Sequence, residues 1–111
     1  PYKYMRSVEV YRNQELAGVL TEQNSKSYAF RYTDSYYADP AKLAISLTLP
    51  KSQQEYQANE LFPFFYNMLS EGVNRKLQSR ALQIDEEDDF GLLSATARYD
   101  TIGAITVKPI S

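Results

Sequence analysis

The 111-residue chain contains no cysteine and no histidine. Without cysteine there is no disulfide framework, no thiolate zinc site and no thiol nucleophile. Without histidine there is no Ser-His-Asp or Cys-His catalysis and no two-histidine metalloprotease helix; the side chain most often used as an acid or base near neutral pH is missing too. Glycine is scarce, and Gly18, Gly72, Gly91 and Gly103 stand far apart. No phosphate-cradling loop, Rossmann fingerprint, nucleophile elbow or kinase catalytic loop is present. No apolar run approaches the ~18 residues of a membrane span, and the N-terminus lacks the charged-then-apolar pattern of a signal peptide. Nothing demands an oxidising compartment, so a soluble, cytoplasmic protein is expected. An enzyme built from this chain would have to rely on carboxylates, hydroxyls, lysine, arginine or a bound cofactor.

What is present is an ordinary globular balance, 43% hydrophobic and 23% charged, enough for one modest core. Twelve basic and fourteen acidic side chains leave a net charge of −2, which disfavours a general electrostatic grip on DNA or an anionic membrane. No internal repeat, low-complexity tract or linker divides the chain, so residues 1–111 are read as one domain.

The first half has the period of strands. Val8 and Val10 alternate with polar neighbours, residues 12–15 offer a turn, and Leu16, Gly18 and Leu20 continue the alternation. That predicts a hairpin. Tyr28, Phe30 and Tyr32 form a third alternating run, rich in the aromatics that strands favour. Residues 34–42 read as a loop with Asp39-Pro40 at its corner. Ile45, Leu47 and Leu49 then predict another strand, stopped by Pro50.

The second half has the period of helices. Residues 59–72 predict one helix, capped by Asn59 and ended by Gly72, with Pro63 early enough to be tolerated. Leu61, Phe62, Phe65, Met68 and Leu69 share its apolar stripe, and Phe64 and Tyr66 widen the apolar arc to roughly 200°. A second helix follows with Val73, Leu77, Ala81 and Ile84 on one face. Asp85 and Asp88 resemble a capping box that opens a third helix through Phe90, Leu93 and Ala97. Residues 102–107 read as a last strand, ended by Pro109. Strands, then helices, then a strand argue for α+β: a small, strongly curved antiparallel sheet with two or three helices on one side. Its core is expected to include Val10, Leu20, Phe30, Leu47, Phe65, Leu69, Leu77 and Leu93.

Three features invite a chemical reading. The acidic run at residues 85–89 suggests a divalent cation, but five adjacent side chains cannot converge on one ion, and a solvated cap complementing a helix dipole fits better. Arg75, Lys76 and Arg80 fall on the expected exposed side of the second helix, a solvated face or a grip on a partner's carboxylates. The segment 62–66 is either buried between layers or partly an anchor patch, since aromatics dominate interface hot spots. No metal, cofactor or catalytic set is expected.

Several short motifs in register resemble a known module. They are residues 15–20 (ELAGVL), 44–50 (AISLTLP), 64–72 (FFYNMLSEG) followed by Asn74-Arg75, 89–93 (DFGLL), and 100–107 (DTIGAITV). Together, over about residues 6–109, they are similar to the N-terminal subdomain of HipA-type serine/threonine kinases, the toxins of hip toxin–antitoxin systems. The chain departs from the family at residues 68–71, where Met-Leu-Ser-Glu replaces the common Leu-Leu-Pro-Glu. The resemblance implies no kinase activity here, because the ATP-binding loop, nucleotide lysine and catalytic aspartate belong to a following domain this sequence does not contain. It implies a stand-alone component like HipS of three-gene hip systems, which binds and neutralises its HipT kinase, with a DNA-binding HipB protein as third member. Met5 as a plausible start and the end shortly after Pro109 favour this; the alternative is an N-terminal regulatory fragment of a full-length HipA-type toxin. The expected partner-binding residues are Phe64, Tyr66, Ser70, Glu71, Gly72 and Arg75, with no direct contact to nucleic acid or membrane.

Overall fold

A computed structural model describes residues 6–24, 26–69, 72–96 and 105–110, without the side chains of 72–74 and 96. Strands β1 (Arg6–Arg12) and β2 (Glu15–Asn24) form the predicted hairpin. Asn13 and Gln14 close it with φ of 51° and 67°, the left-handed pair whose twist matches that of the flanking strands. Opposite Val10 and Tyr11 the register slips by one residue, with Val10 facing Gly18 and Tyr11 facing Leu16. This bulge bends the sheet. Strand β3 (Ser27–Tyr32) pairs with β2, β4 (Glu55–Ala58) pairs with β3, and β5 (Ile105–Pro109) pairs with β1. The result is a five-stranded antiparallel sheet in the order β4-β3-β2-β1-β5. Gly18 is required where β3 crosses close by, since a Cβ there would sit 2.5 Å from the Arg31 carbonyl oxygen and 2.7 Å from the Phe30 ring.

One face of β3 organises the core. Tyr32 stacks on Tyr36 of helix α1 (Asp34–Ala38), with ring centroids 5.9 Å apart. Phe30 meets Phe65 of helix α2 (Pro63–Tyr66) at 5.8 Å. Tyr28 meets Phe90 of helix α4 (Asp89–Thr96) at 6.5 Å. Positions i, i+2 and i+4 of a strand share a face, so three helices land in a row on that face. Helix α3 (Gly72–Leu82) stands outside this row and packs on α4. Of the expected core, Val10, Leu20, Phe30, Phe65, Leu69 and Leu93 are buried.

Leu47 and Leu77 are not. Leu47 is 99% exposed and Leu77 is 58% exposed. The expected strand at Ile45–Leu49 is a turn, because β4 occupies the edge of β3 that it would have needed. Ile45 and Leu49 are buried as the alternation requires, but a turn that dips in, out and in again produces the same spacing. β4 itself, Glu-Tyr-Gln-Ala, turns Tyr56 and Ala58 toward the core, but four residues are too short a run for the alternation to stand out. Leu77 is exposed because α3 meets the body through another side of the helix.

Other expectations also shift. Residues 34–38 are helical rather than loop, although Asp39 does end that helix. The long helix at 59–72 shrinks to α2, whose first residue is Pro63 and whose cap position is Phe62 rather than Asn59. Proline at the first helical position needs no N–H partner and holds the preceding residue extended. The chain then tightens, with Met68 N–H donating to the Phe65 carbonyl and Leu69 N–H to that of Tyr66. Residues 97 and 102–104, assigned to the third helix and last strand, lie outside the described residues.

Candidate functional site: the α2–α4 groove

The helical half is fastened by two arginines. Arg6 of β1 sends both terminal nitrogens to the Asp88 carboxylate at 3.0 and 2.8 Å, and its Nε donates to Glu22 at 2.7 Å. Asp88 also accepts the Gly91 N–H at 3.1 Å, capping α4. The capping residue is therefore Asp88; Asp85 instead closes a local turn by accepting the Glu87 N–H. Hydrogen bonds from the Arg6 guanidinium hold the Asp88 carboxyl below its ordinary value of 3.8, against an opposing effect of burial. The same pairing raises Arg6. The acidic run is thus partly structural rather than wholly a solvated cap.

Arg75 is the second clamp. Its Nε and Nη2 donate to the Glu86 carbonyl at 3.0 and 2.8 Å, and Nη2 pairs with Asp89. Its side chain is largely covered, not on the exposed face the sequence suggested; Lys76 and Arg80 are exposed. Helix α3 ends in a Schellman-type cap, with Ile84 N–H reaching the Ser79 carbonyl and Gln83 N–H that of Arg80. Gln83 takes the left-handed position usually held by glycine, at φ 57°.

Between α2 and the start of α4 lies an open groove of about 660 Å³. Pro63, Tyr66 and Asn67 line one side, residues 58–61 another, and Asp89 a third. Tyr66 is 47% exposed. Phe64 lies edge-on against Phe65 at 5.3 Å, half-buried. Gly72 begins α3. Tyr66 and Arg75 are therefore brought to the same neighbourhood, linked through Asp89, whereas Phe64 packs onto the core beside them. Ser70 and Glu71 lie outside the described residues. Asp89 was not expected here, and only its place in an acidic run hinted at it. Among the described residues no cluster of acidic side chains is arranged to hold a metal ion, and no helix is long and apolar enough to cross a membrane.

A groove edged by Tyr66 and Asp89 can receive a peptide or protein segment. Comparison with known proteins identifies the setting. A protein of Sinorhizobium fredii named "Putative kinase" is 28% identical over 105 residues, covering 95% of this chain but 25% of that protein. An uncharacterized protein of Haemophilus influenzae is 28% identical over 104 residues, covering 94% of this chain and 92% of that one. The solved N-terminal domain of HipA toxin superposes with a TM-score of 0.70 at 26% identity, over 100% of this chain and 98% of that chain. The sequence profile of the HipA N-terminal domain matches residues 8–108, and the chain belongs to that family.

Proposed function

We propose that the chain is a non-catalytic component of a toxin–antitoxin system that docks on a HipA-type serine/threonine kinase and restrains it in the cytoplasm. The observation that carries this reading is the family match over residues 8–108, on a chain that spans about a quarter of the kinase-named relative. The domain is therefore one part of a larger assembly in that relative, and a separate copy has a ready-made surface to occupy. The groove edged by Tyr66, with Phe64 and Arg75 beside it and Ser70, Glu71 and Gly72 in the adjoining segment, is the docking site on this reading. A HipB-like DNA-binding protein would complete a ternary complex, with operator contacts left to that partner.

Co-expression with a HipA-type kinase from the same genome tests the proposal through growth rescue and co-purification. Tyr66→Ala and Phe64→Ala are expected to weaken binding about thirtyfold where the residue is a hot spot. Arg75→Ala is less informative because it also loosens α3. Wild-type protein that neither binds nor rescues ends the proposal. Pure chain with labelled ATP is expected to give no phosphorylated product above a protein-free control, since the sequence carries neither a phosphate-loop motif nor a kinase catalytic-loop motif.

A second reading rests on the same quarter-length coverage: the chain acts as the N-terminal regulatory region of a longer HipA-type kinase. The Haemophilus relative, 92% covered, favours the stand-alone form.

A further inference from the structure

The segment joining α1 to β4 holds one leucine out into solvent on a tightly tethered tip. Leu49 N–H donates to the Ser46 carbonyl at 3.1 Å, which puts Leu47 at a corner of a four-residue turn. Thr48 N–H donates to Ser46 Oγ at 3.1 Å, stiffening that turn. Both flanks are then held by one buried hydroxyl. Tyr32 OH accepts from Ile45 N–H at 3.1 Å and donates to the Leu49 carbonyl at 2.5 Å. Farther out, Tyr36 OH donates to the Leu43 carbonyl at 2.5 Å, and Lys51 Nζ donates to the Asp39 and Lys42 carbonyls at 2.7 and 2.8 Å. Ile45 and Leu49 are buried, while Leu47 is 99% exposed and Leu43 is 60% exposed.

A lone exposed leucine is ordinary. A leucine at the tip of a loop pinned on both sides is not, because ordering a flexible loop is a main cost of association and this loop has already met it. The domain's own core is complete without the side chain. Three quarters of the kinase-named relative lies outside the matched region, and that larger part is what a domain of this family has available to cover an apolar tip.

Resting on the docking reading above, we infer that Leu47 is a preorganised anchor that enters an apolar pocket on the kinase region of a HipA-type protein, with Leu43 at its rim. The contact is separate from the α2–α4 groove and draws on different residues. Its test uses a HipA-type kinase region from the same genome, made without its own N-terminal domain, and measures affinity by calorimetry. Leu47→Ala is expected to weaken binding about tenfold or more and Leu47→Asp further. Both should keep the wild-type unfolding midpoint, because the side chain touches nothing in the isolated domain. If wild type binds and both variants bind within about twofold of it, the anchor is wrong and the docking reading stands. If wild type itself does not bind, the docking reading falls and the anchor with it. A concentration-dependent dimer of the wild type that Leu47→Asp abolishes would place a second copy on the leucine and overturn the assignment.

Discussion

Strand β3 and helix α3 are held in opposite ways. β3 has a neighbour strand on each edge and buries Tyr28, Phe30 and Tyr32 under three helices. Among its described side chains, helix α3 leaves Lys76, Leu77, Arg80, Ala81 and Leu82 exposed, and the Arg75 guanidinium and a C-terminal cap tie it down. Apolar burial is non-directional and has no protonation state, so the packed face of β3 depends little on moderate changes of pH. A helix held by charge-assisted hydrogen bonds depends on pH and on salt. The difference teaches that helix period alone is a poor guide to burial: α3 has an apolar stripe, yet its polar Arg75 does the anchoring.

The largest expected effect breaks the β3 side. Phe65 is fully buried and meets the rings of Phe30, Phe62 and Phe64. Phe65→Ala is expected to cost roughly 3–5 kcal/mol in urea unfolding. A loss below about 1 kcal/mol would show that the row of helices is not the stabilising element.

Next comes the clamp that ties β1 and β2 to the start of α4, on which α3 packs. Arg6→Ala leaves the Glu22 and Asp88 carboxylates unpaired while they are still partly covered. After allowance for their exposure, a loss of about 1–2 kcal/mol is expected at neutral pH. The sign of its pH dependence follows from Asp88, whose folded value lies below the ordinary 3.8. A depressed carboxyl stabilises fully above the ordinary value, and the contribution disappears as pH falls through the lower folded value. The gap between wild type and Arg6→Ala should therefore be constant at neutral pH and narrow in acid, as read from unfolding curves at stepped pH. A gap that widens in acid would remove Asp88 as the partner that matters.

Smaller effects sharpen the α3 side. Asp89→Asn weakens the Arg75 pair, and amide exchange should rise across α3 while β3 amides stay protected. Gln83→Gly relieves a left-handed non-glycine and is expected to raise stability by up to about 1 kcal/mol, partly offset by a freer unfolded chain. Smallest of all, Leu77→Ala should change stability by less than about 0.5 kcal/mol, as surface positions do. A core-sized loss at Leu77 would mean that α3 buries the face described here as open.

Much of the first half is legible locally. The β1–β2 hairpin and the β3 aromatics follow from period two, because a strand must send alternate side chains to one face; Ile45 and Leu49 are buried too, but on a turn rather than on the expected strand. The buried set Leu61, Phe62, Phe65, Met68 and Leu69 is likewise visible from its spacing, even though α2 is a short helix around Pro63. A stripe marks which side chains avoid water whether the backbone beneath them is one helix or a turn and a helix. The family resemblance was legible too, since it rests on short motifs kept in order.

What tertiary structure decided is which apolar residues have something to pack against. Leu47 and Leu49 have the same local credentials, yet Leu49 meets the core and Leu47 projects from the turn. The choice depends on β4, a strand of four residues whose only apolar members are Tyr56 and Ala58, taking the free edge of β3. Leu77 is similar, since its exposure is set by where α4 holds α3. Arg6 and Asp88 are separated by 82 positions, and no sequence period links them. Period and propensity are properties of neighbouring residues, so they fix local alternation and helix-forming stretches; burial and ion pairing require a second surface, and the fold alone supplies it.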